Sequence, residues 1–283
     1  MRSAESAHDA GAMWDIATPS RPGLLPGVDM AGFRARTTDF VDLDVVPYAA
    51  VTVVVDLGDG PLAVDDTSGR RHNGSVVVGL VPSGVRGRGH DIECLEVRLA
   101  PPVAHAVLGV SSELGGTVVS LDDLWGRDAT RTQERLRAAG SWDDRFAIVE
   151  AALVRRHEAG RAIDPEVALV WGRMVTNLGG VRIERLAAEV GWSRKRLWSR
   201  FRAQIGLTPK RAAQLVRFDH AAHRLAAGHS AARVAAEIGY VDQSHLHREV
   251  MAFAGVTPTA VAVAPWLAVD DVAWAAPAYL AET

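Results

Sequence analysis

Cys94 is the only cysteine among the 283 residues of the chain. An intrachain disulfide is therefore excluded, no cysteine cluster can hold zinc, and nothing argues for an oxidising compartment. No uninterrupted apolar run reaches the ~18 residues of a membrane span. Residues 1–11 lack the basic-then-apolar layout of a signal peptide. The cytoplasm is the expected location. Catalytic patterns are missing too: no Ser-His-Asp arrangement, P-loop or dinucleotide fingerprint is evident. His72 and His90 are too isolated for a metal-binding histidine cluster. The pairs His220/His223 and His245/His247 fall on helical patterns, where structural or DNA-facing roles outweigh zinc binding. The chain is expected to be no enzyme, with no catalytic residue, no cofactor and no metal.

What is present is segregated. The formal net charge is only −3. Residues 181–263, however, carry thirteen Lys/Arg against six Asp/Glu, a surplus of +7, so the remainder sums to −10. A basic module beside an acidic body suits a polyanion that touches one part of the molecule. The length allows two domains, each with its own core.

Residues 1–27 hold Ala, Ser, Asp, Pro and Gly without a period and read as a flexible tail, with Trp14 as its one anchor. From 28 to 101 the pattern is β. Residues 48–57 and 75–81 are valine-rich runs ending in Gly/Pro turn signals. Residues 91–99 alternate, with Leu95, Val97 and Leu99 on one side and Glu96 and Arg98 on the other, the pattern of a half-buried strand. Such strands suggest a sandwich or small barrel. Cys94 reads as a buried small hydrophobe. Helices are expected over 103–110, 128–139 and 143–158, with Ser111 or Ser112 capping another. The 143–158 helix directs Phe146, Val149, Leu153 and Val154 to one side. It serves either as a dimer seam or as packing for its own domain.

The C-terminal half repeats itself. Residues 186–191 read Leu-Ala-Ala-Glu-Val-Gly and residues 234–239 read Val-Ala-Ala-Glu-Ile-Gly. An aromatic follows each glycine (Trp192, Tyr240), then a helix-capping residue (Ser193, Asp242), then inward apolar positions (Leu197 and Phe201; Leu246 and Val250). Short helix, glycine turn and second capped helix make a helix-turn-helix, here twice. Asp164-Pro165, Thr208-Pro209 and Thr257-Pro258 each open a helix. In the first copy Arg194, Lys195, Trp198, Ser199 and Arg202 face away from the buried stripe. In the second, Gln243, Ser244, His247 and Arg248 do. These nine are the expected DNA-binding residues. Gln suits adenine and Arg suits guanine in the major groove, while the other cations suit phosphate.

The same residues resemble a known family. Ile183-Glu184-Arg185-Leu186-Ala187, Gly191-Trp192-Ser193, Leu197 and Phe201 are similar to the first motif of AraC/XylS-type transcriptional regulators. Gly206-Leu207-Thr208-Pro209 resembles the linker of that family. Gly239-Tyr240, Asp242-Gln243-Ser244-His245-Leu246, Arg248 and Gly255-Val256-Thr257-Pro258 resemble the second motif. Ser199 stands where the family often has Arg, and Val250 where it usually has Phe. The resemblance implies two three-helix subdomains joined by a long helix, with recognition helices in successive major grooves. It also implies a cupin-like body that senses an effector or dimerises.

The fold expected is α+β: a β-rich cupin-like domain at 28–158 with trailing helices, a linker at 159–164, an all-α double helix-turn-helix domain at 165–263, and a C-terminal tail at 264–283. The function expected is sequence-specific transcriptional regulation. Double-stranded DNA is the main partner. RNA polymerase, a small-molecule effector and a second copy in a homodimer are the other candidates, and no membrane is expected. The rival readings are a DNA-repair protein with this DNA module and an architectural DNA binder.

Overall fold

The computed structural model describes residues 13–60, 62–80, 85–109 and 114–274. Ser111 and Ser112, the turn around Pro82, and Tyr279 lie outside them.

Among the described residues the first half holds ten strands: β1 (Trp14–Ala17), β2 (Val28–Ala35), β3 (Val41–Val45), β4 (Val51–Asp56), β5 (Ala63–Asp65), β6 (Arg71–Asn73), β7 (Val76–Val78), β8 (Val85–Gly89), β9 (Glu93–Leu99) and β10 (Val118–Ser120). β-Branched valine dominates several of them, as a pleated surface packed on both sides favours. One sheet runs β1-β2-β9-β4-β7-β10 and the other β3-β8-β5-β6, with antiparallel pairing throughout. The second sheet was less visible in the sequence because its strands are short and charged. Cross-strand pairs hold it together instead, with Arg86 reaching Asp42 and Asp44, and Arg88 reaching Asp42 and Asp65.

Two expectations need correction. Residues 1–27 are not all tail: Trp14–Ala17 pairs with β2, Trp14 opposite Ala35, and Trp14 is buried edge-on against Phe33. Nor is β9 half-buried. Leu95, Val97 and Leu99 do join the main core, but Glu96 and Arg98 on the other side are 4% and 0% exposed.

Among the described residues four helices accompany and follow the last strands: α1 (Pro101–Leu108), α2 (Leu121–Trp125), α3 (Arg127–Ala138) and α4 (Trp142–Ala159). Helix α4 packs on α1 and α3, and it buries Phe146, Val149 and Leu153, so its apolar side is spent on its own chain. Gly32 makes room for its first residue, since a Cβ there would lie 2.3 Å from the Trp142 ring.

The remaining helices are α5 (Pro165–Thr176), α6 (Ile183–Glu189), α7 (Arg194–Ile205), α8 (Pro209–Ala226), α9 (Ala231–Ile238), α10 (Gln243–Ala254), α11 (Pro258–Val261) and α12 (Pro265–Ala273). Helix α8 joins the two motifs. Of the residues after 263, Pro265–Ala273 form α12, which packs on α8 and also on β1 and β3. Val269, Ala273 and Trp274 share a buried cluster with Trp14, Phe33, Ile92 and Cys94. The main apolar core is likewise continuous, running from Val53 and Leu95 through Val149 to Leu197 and Phe253.

Candidate nucleic-acid interface and internal cavity

The recognition helices begin where local chemistry dictates. The Ser193 hydroxyl accepts from the Arg196 amide, and the Asp242 carboxylate accepts from the His245 amide at 2.7 Å. Gly206 and Gly255 end α7 and α10 in the left-handed region, with φ of +88° and +70°. Asp164 sits at the start of α5, but its carboxylate is held by Arg200 at 2.6 and 2.7 Å and leaves the α5 amides uncapped.

On the inward sides Leu197, Phe201 and Ile205, and Leu246, Val250 and Phe253, are buried. Phe253 stacks on Phe218 of α8 with ring centroids 5.1 Å apart. This stack supplies an aromatic contact that Val250 cannot. Behind α10, Glu249 accepts from Arg217 and from the Tyr240 hydroxyl, which ties the second motif to α8.

All nine expected DNA-binding residues are exposed: Arg194, Lys195, Trp198, Ser199 and Arg202 on α7, and Gln243, Ser244, His247 and Arg248 on α10. Trp198 is 46% exposed and stacks with the Arg202 guanidinium at 5.1 Å. Arg194 is engaged with Glu184 at 3.1 Å. Among the described residues Lys195, Arg202 and Arg248 form no ion pair, so their charge is available to a polyanion. The sequence reading overlooked Val241. It is 87% exposed immediately before the α10 cap, where an apolar side chain can meet a thymine methyl.

Between the two sheets lies a cavity of about 80 Å³. Its walls are mostly apolar: Trp14, Phe33, Val41, Leu43, Val64, Val85 and others. Its polar lining is Tyr48, Thr52 and Glu96. The Tyr48 and Thr52 hydroxyls are 2.5 Å apart, and Tyr48 lies 3.5 Å from Glu96 Oε1. Glu96 Oε2 is buried without a hydrogen-bond partner. Burial drives the Glu96 carboxyl up to about 7, against the pull of Arg98. Tyr48 lines this cavity, whereas Trp125 is buried elsewhere and Trp142 packs against Gly32.

A charged network continues from this end of the cavity into the helix-turn-helix half. Arg98 donates to Asp270 of α12 at 2.7 and 3.2 Å and lies over the Tyr48 and Trp274 rings at 3.9 and 4.3 Å. His223 of α8 meets Asp270 at 3.5 Å and Asp219 at 3.3 Å. Burial alone would lower the His223 pKa, but the two carboxylates prevail and push it up to about 11. Asp219 also accepts from the Ala49 amide at 3.1 Å, linking α8 back to the turn before β4. No sequence signal marked this network, because Arg98 and Asp270 are 172 positions apart.

Cys94 is buried, and burial together with Glu96, Asp56 and Glu93 raises its thiol well above the ordinary range. His72 bonds Asp66 at 3.2 Å and His90 the Thr38 carbonyl at 3.2 Å. Among the described residues no group of three or more His, Cys, Asp or Glu is placed to hold a metal, and no helix is long and apolar enough to cross a membrane.

Residues 186–262 match the family described as "Helix-turn-helix domain". No curated protein matches the chain. Among solved structures, ToxT from Vibrio cholerae is similar over 84% of this chain and 98% of its own, at 10% identity and a TM-score of 0.45. A second ToxT structure, described as bound to an unsaturated fatty acid, covers 86% and 97%, at 9% identity and a TM-score of 0.47. The AraC-like transcriptional activator CuxR covers 73% and 85%, at 18% identity and a TM-score of 0.27. Scores and identities this low assign no ligand and no operator.

Proposed function

We propose that the chain is a DNA-binding transcriptional regulator of the AraC/XylS type, that its two recognition helices enter successive major grooves, and that a small molecule in the N-terminal body controls when they do so. The observation that carries the first part is the pairing of two capped helices, each burying one side and exposing cations, a glutamine and an indole on the other. Arg248 and Gln243 read bases in one groove, while Arg194, Lys195 and Trp198 dock in the next. The half-sites then lie about one helical turn apart, roughly 10 bp. Inserting five base pairs between them sets the heads on opposite faces and abolishes simultaneous docking. Site selection from random DNA with wild type and with Arg248→Ala tests the assignment. An unchanged base preference would remove Arg248 from base reading.

Control by a ligand is favoured by the cavity, whose polar end reaches α8 through Arg98, Asp270 and His223. For regulation, a ligand must bind two states of the body unequally. The test is the DNA affinity of the full chain across a panel of metabolites that raise its melting temperature. A homodimer would raise affinity through effective concentration without any ligand. The solution mass of the full chain decides that point.

One rival reading loses ground. A methyl-accepting repair protein wants an activated, accessible thiolate, whereas Cys94 is buried with a raised pKa. A purely architectural binder would select no sequence.

A further inference from the structure

The proposal that a ligand in the body controls the reader leaves its chemistry open, and the polar end of the cavity constrains it. Glu96 is almost fully enclosed on β9, faces the space between the sheets, and keeps Oε2 without a partner. A buried acceptor left unpaired is costly and marks a place for a missing donor. Beside it the Tyr48 hydroxyl donates to Glu96 Oε1 and accepts from Thr52, and both hydroxyl oxygens line the same space as acceptors. Three acceptors at one end of an apolar chamber match the three N–H groups of an ammonium.

The charges point the same way. Among the described residues Arg98 is the one cation acting on Glu96, and both of its terminal nitrogens donate to Asp270. Across the buried network, two cations (Arg98 and His223) face three carboxylates (Glu96, Asp219 and Asp270). Counted over the described residues with Glu96 ionised, the network is one positive charge short, and the shortfall lies at the cavity. A carboxylate ligand would add a fourth anion there. The remaining walls, among them Phe33, Leu43, Val64 and Val85, offer an apolar bed. Its size, about 80 Å³, corresponds to roughly five to eight water positions. A ligand of about ten non-hydrogen atoms fills it.

We infer that the cavity between the sheets binds a small apolar primary amine, its ammonium held by Glu96, Thr52 and Tyr48 and its hydrocarbon part between the two sheets. This inference rests on the reading of the cavity as the control site.

The test uses the full chain and three probes of one shape: benzylamine, benzyl alcohol and sodium benzoate, titrated calorimetrically at pH 8. Benzylamine should bind at least tenfold more tightly than the other two and raise the melting temperature. Glu96→Gln should cut benzylamine affinity at least tenfold and leave benzyl alcohol within about twofold. If Glu96→Gln does not fold, Thr52→Val serves, since it removes one acceptor and should weaken benzylamine more than benzyl alcohol. Benzoate or benzyl alcohol binding as tightly as benzylamine would overturn the amine assignment and leave the control reading standing. Benzylamine binding untouched by both substitutions would place the site elsewhere and overturn the assignment too. No binding by any probe, together with DNA affinity indifferent to every metabolite tried, would overturn both.

Discussion

Replacing Asp270 by Asn should be among the most damaging single changes in the protein. The perturbation is nearly isosteric and removes one charge. Arg98 is 0% and Asp270 1% exposed, and two hydrogen bonds at 2.7 and 3.2 Å join them. An Asn offers one acceptor where the guanidinium meets two, and it turns an amide toward a cation. His223 loses the same partner. Breaking a buried pair from one side costs about 3–5 kcal/mol, because the remaining charge stays enclosed without compensation. Typical domain stabilities are about 5–15 kcal/mol, so a large fraction disappears. The double variant Arg98→Met/Asp270→Leu should recover most of the loss, since removing both charges removes the desolvation penalty as well. Urea unfolding of wild type, Arg98→Met, Asp270→Leu and the double variant closes the cycle, with Asp270→Asn measured beside them. The loss should change little between about 0.05 and 0.5 M salt, because a buried pair is weakly screened. A cost for Asp270→Asn under about 1 kcal/mol, the range of exposed pairs, would refute the account of this network.

Further outcomes follow from the same geometry. The Glu96 pKa is raised on folding from 4.5 to about 7, so its contribution is present below the unfolded value and is lost as pH rises through 7. Glu96→Gln should therefore be near neutral at pH 5 and stabilise the protein at pH 8 by up to about 3 kcal/mol, read as a melting-temperature difference. His223 is raised from 6.5 to about 11. Its contribution is full below 6.5 and disappears as pH climbs toward 11, so the cost of His223→Gln should be larger at pH 6 than at pH 10. Gly179 has φ of +75°, and a Cβ there would come within 2.1 Å of the Ala213 carbonyl oxygen, so Gly179→Ala should lower stability by more than about 1 kcal/mol in denaturant unfolding. Arg248→Ala should cost roughly 1–3 kcal/mol at one base position. Affinity of the full chain for DNA should fall steeply between about 50 and 200 mM salt.

What was legible in the sequence was local. Caps at Ser193 and Asp242, glycine turns at Gly191 and Gly239, and the four-residue spacing of Leu197, Phe201 and Ile205 each specify a turn of chain within a few positions. The helix-turn-helix module and the exposure of its nine candidate residues follow from them. Features that depend on distant partners were not legible. The alternation of β9 reads the same whether its polar side meets water or a second sheet, and only the partner of Arg98 settles which. The short strands β3 and β8 carry Asp and Arg in alternation, which resembles loop composition until they are paired. Residues 265–274 show no helix signal beyond Pro265, and their fixed position comes from burying Leu267, Val269 and Trp274.

The placement of α12 has a consequence for how the molecule is made. Val269, Ala273 and Trp274 complete a cluster whose other members, Trp14, Phe33, Ile92 and Cys94, are synthesised first. Domain-by-domain folding during translation cannot finish this protein, because the β body waits for residues 265–274 to leave the ribosome. Until then Phe33 and Cys94 present an open apolar side, and Arg98 lacks its counter-ion. Nascent chains arrested before residue 264 should therefore be cleaved readily within the β body by added protease and held by chaperones. Chains arrested far enough beyond residue 274 for that segment to emerge should resist.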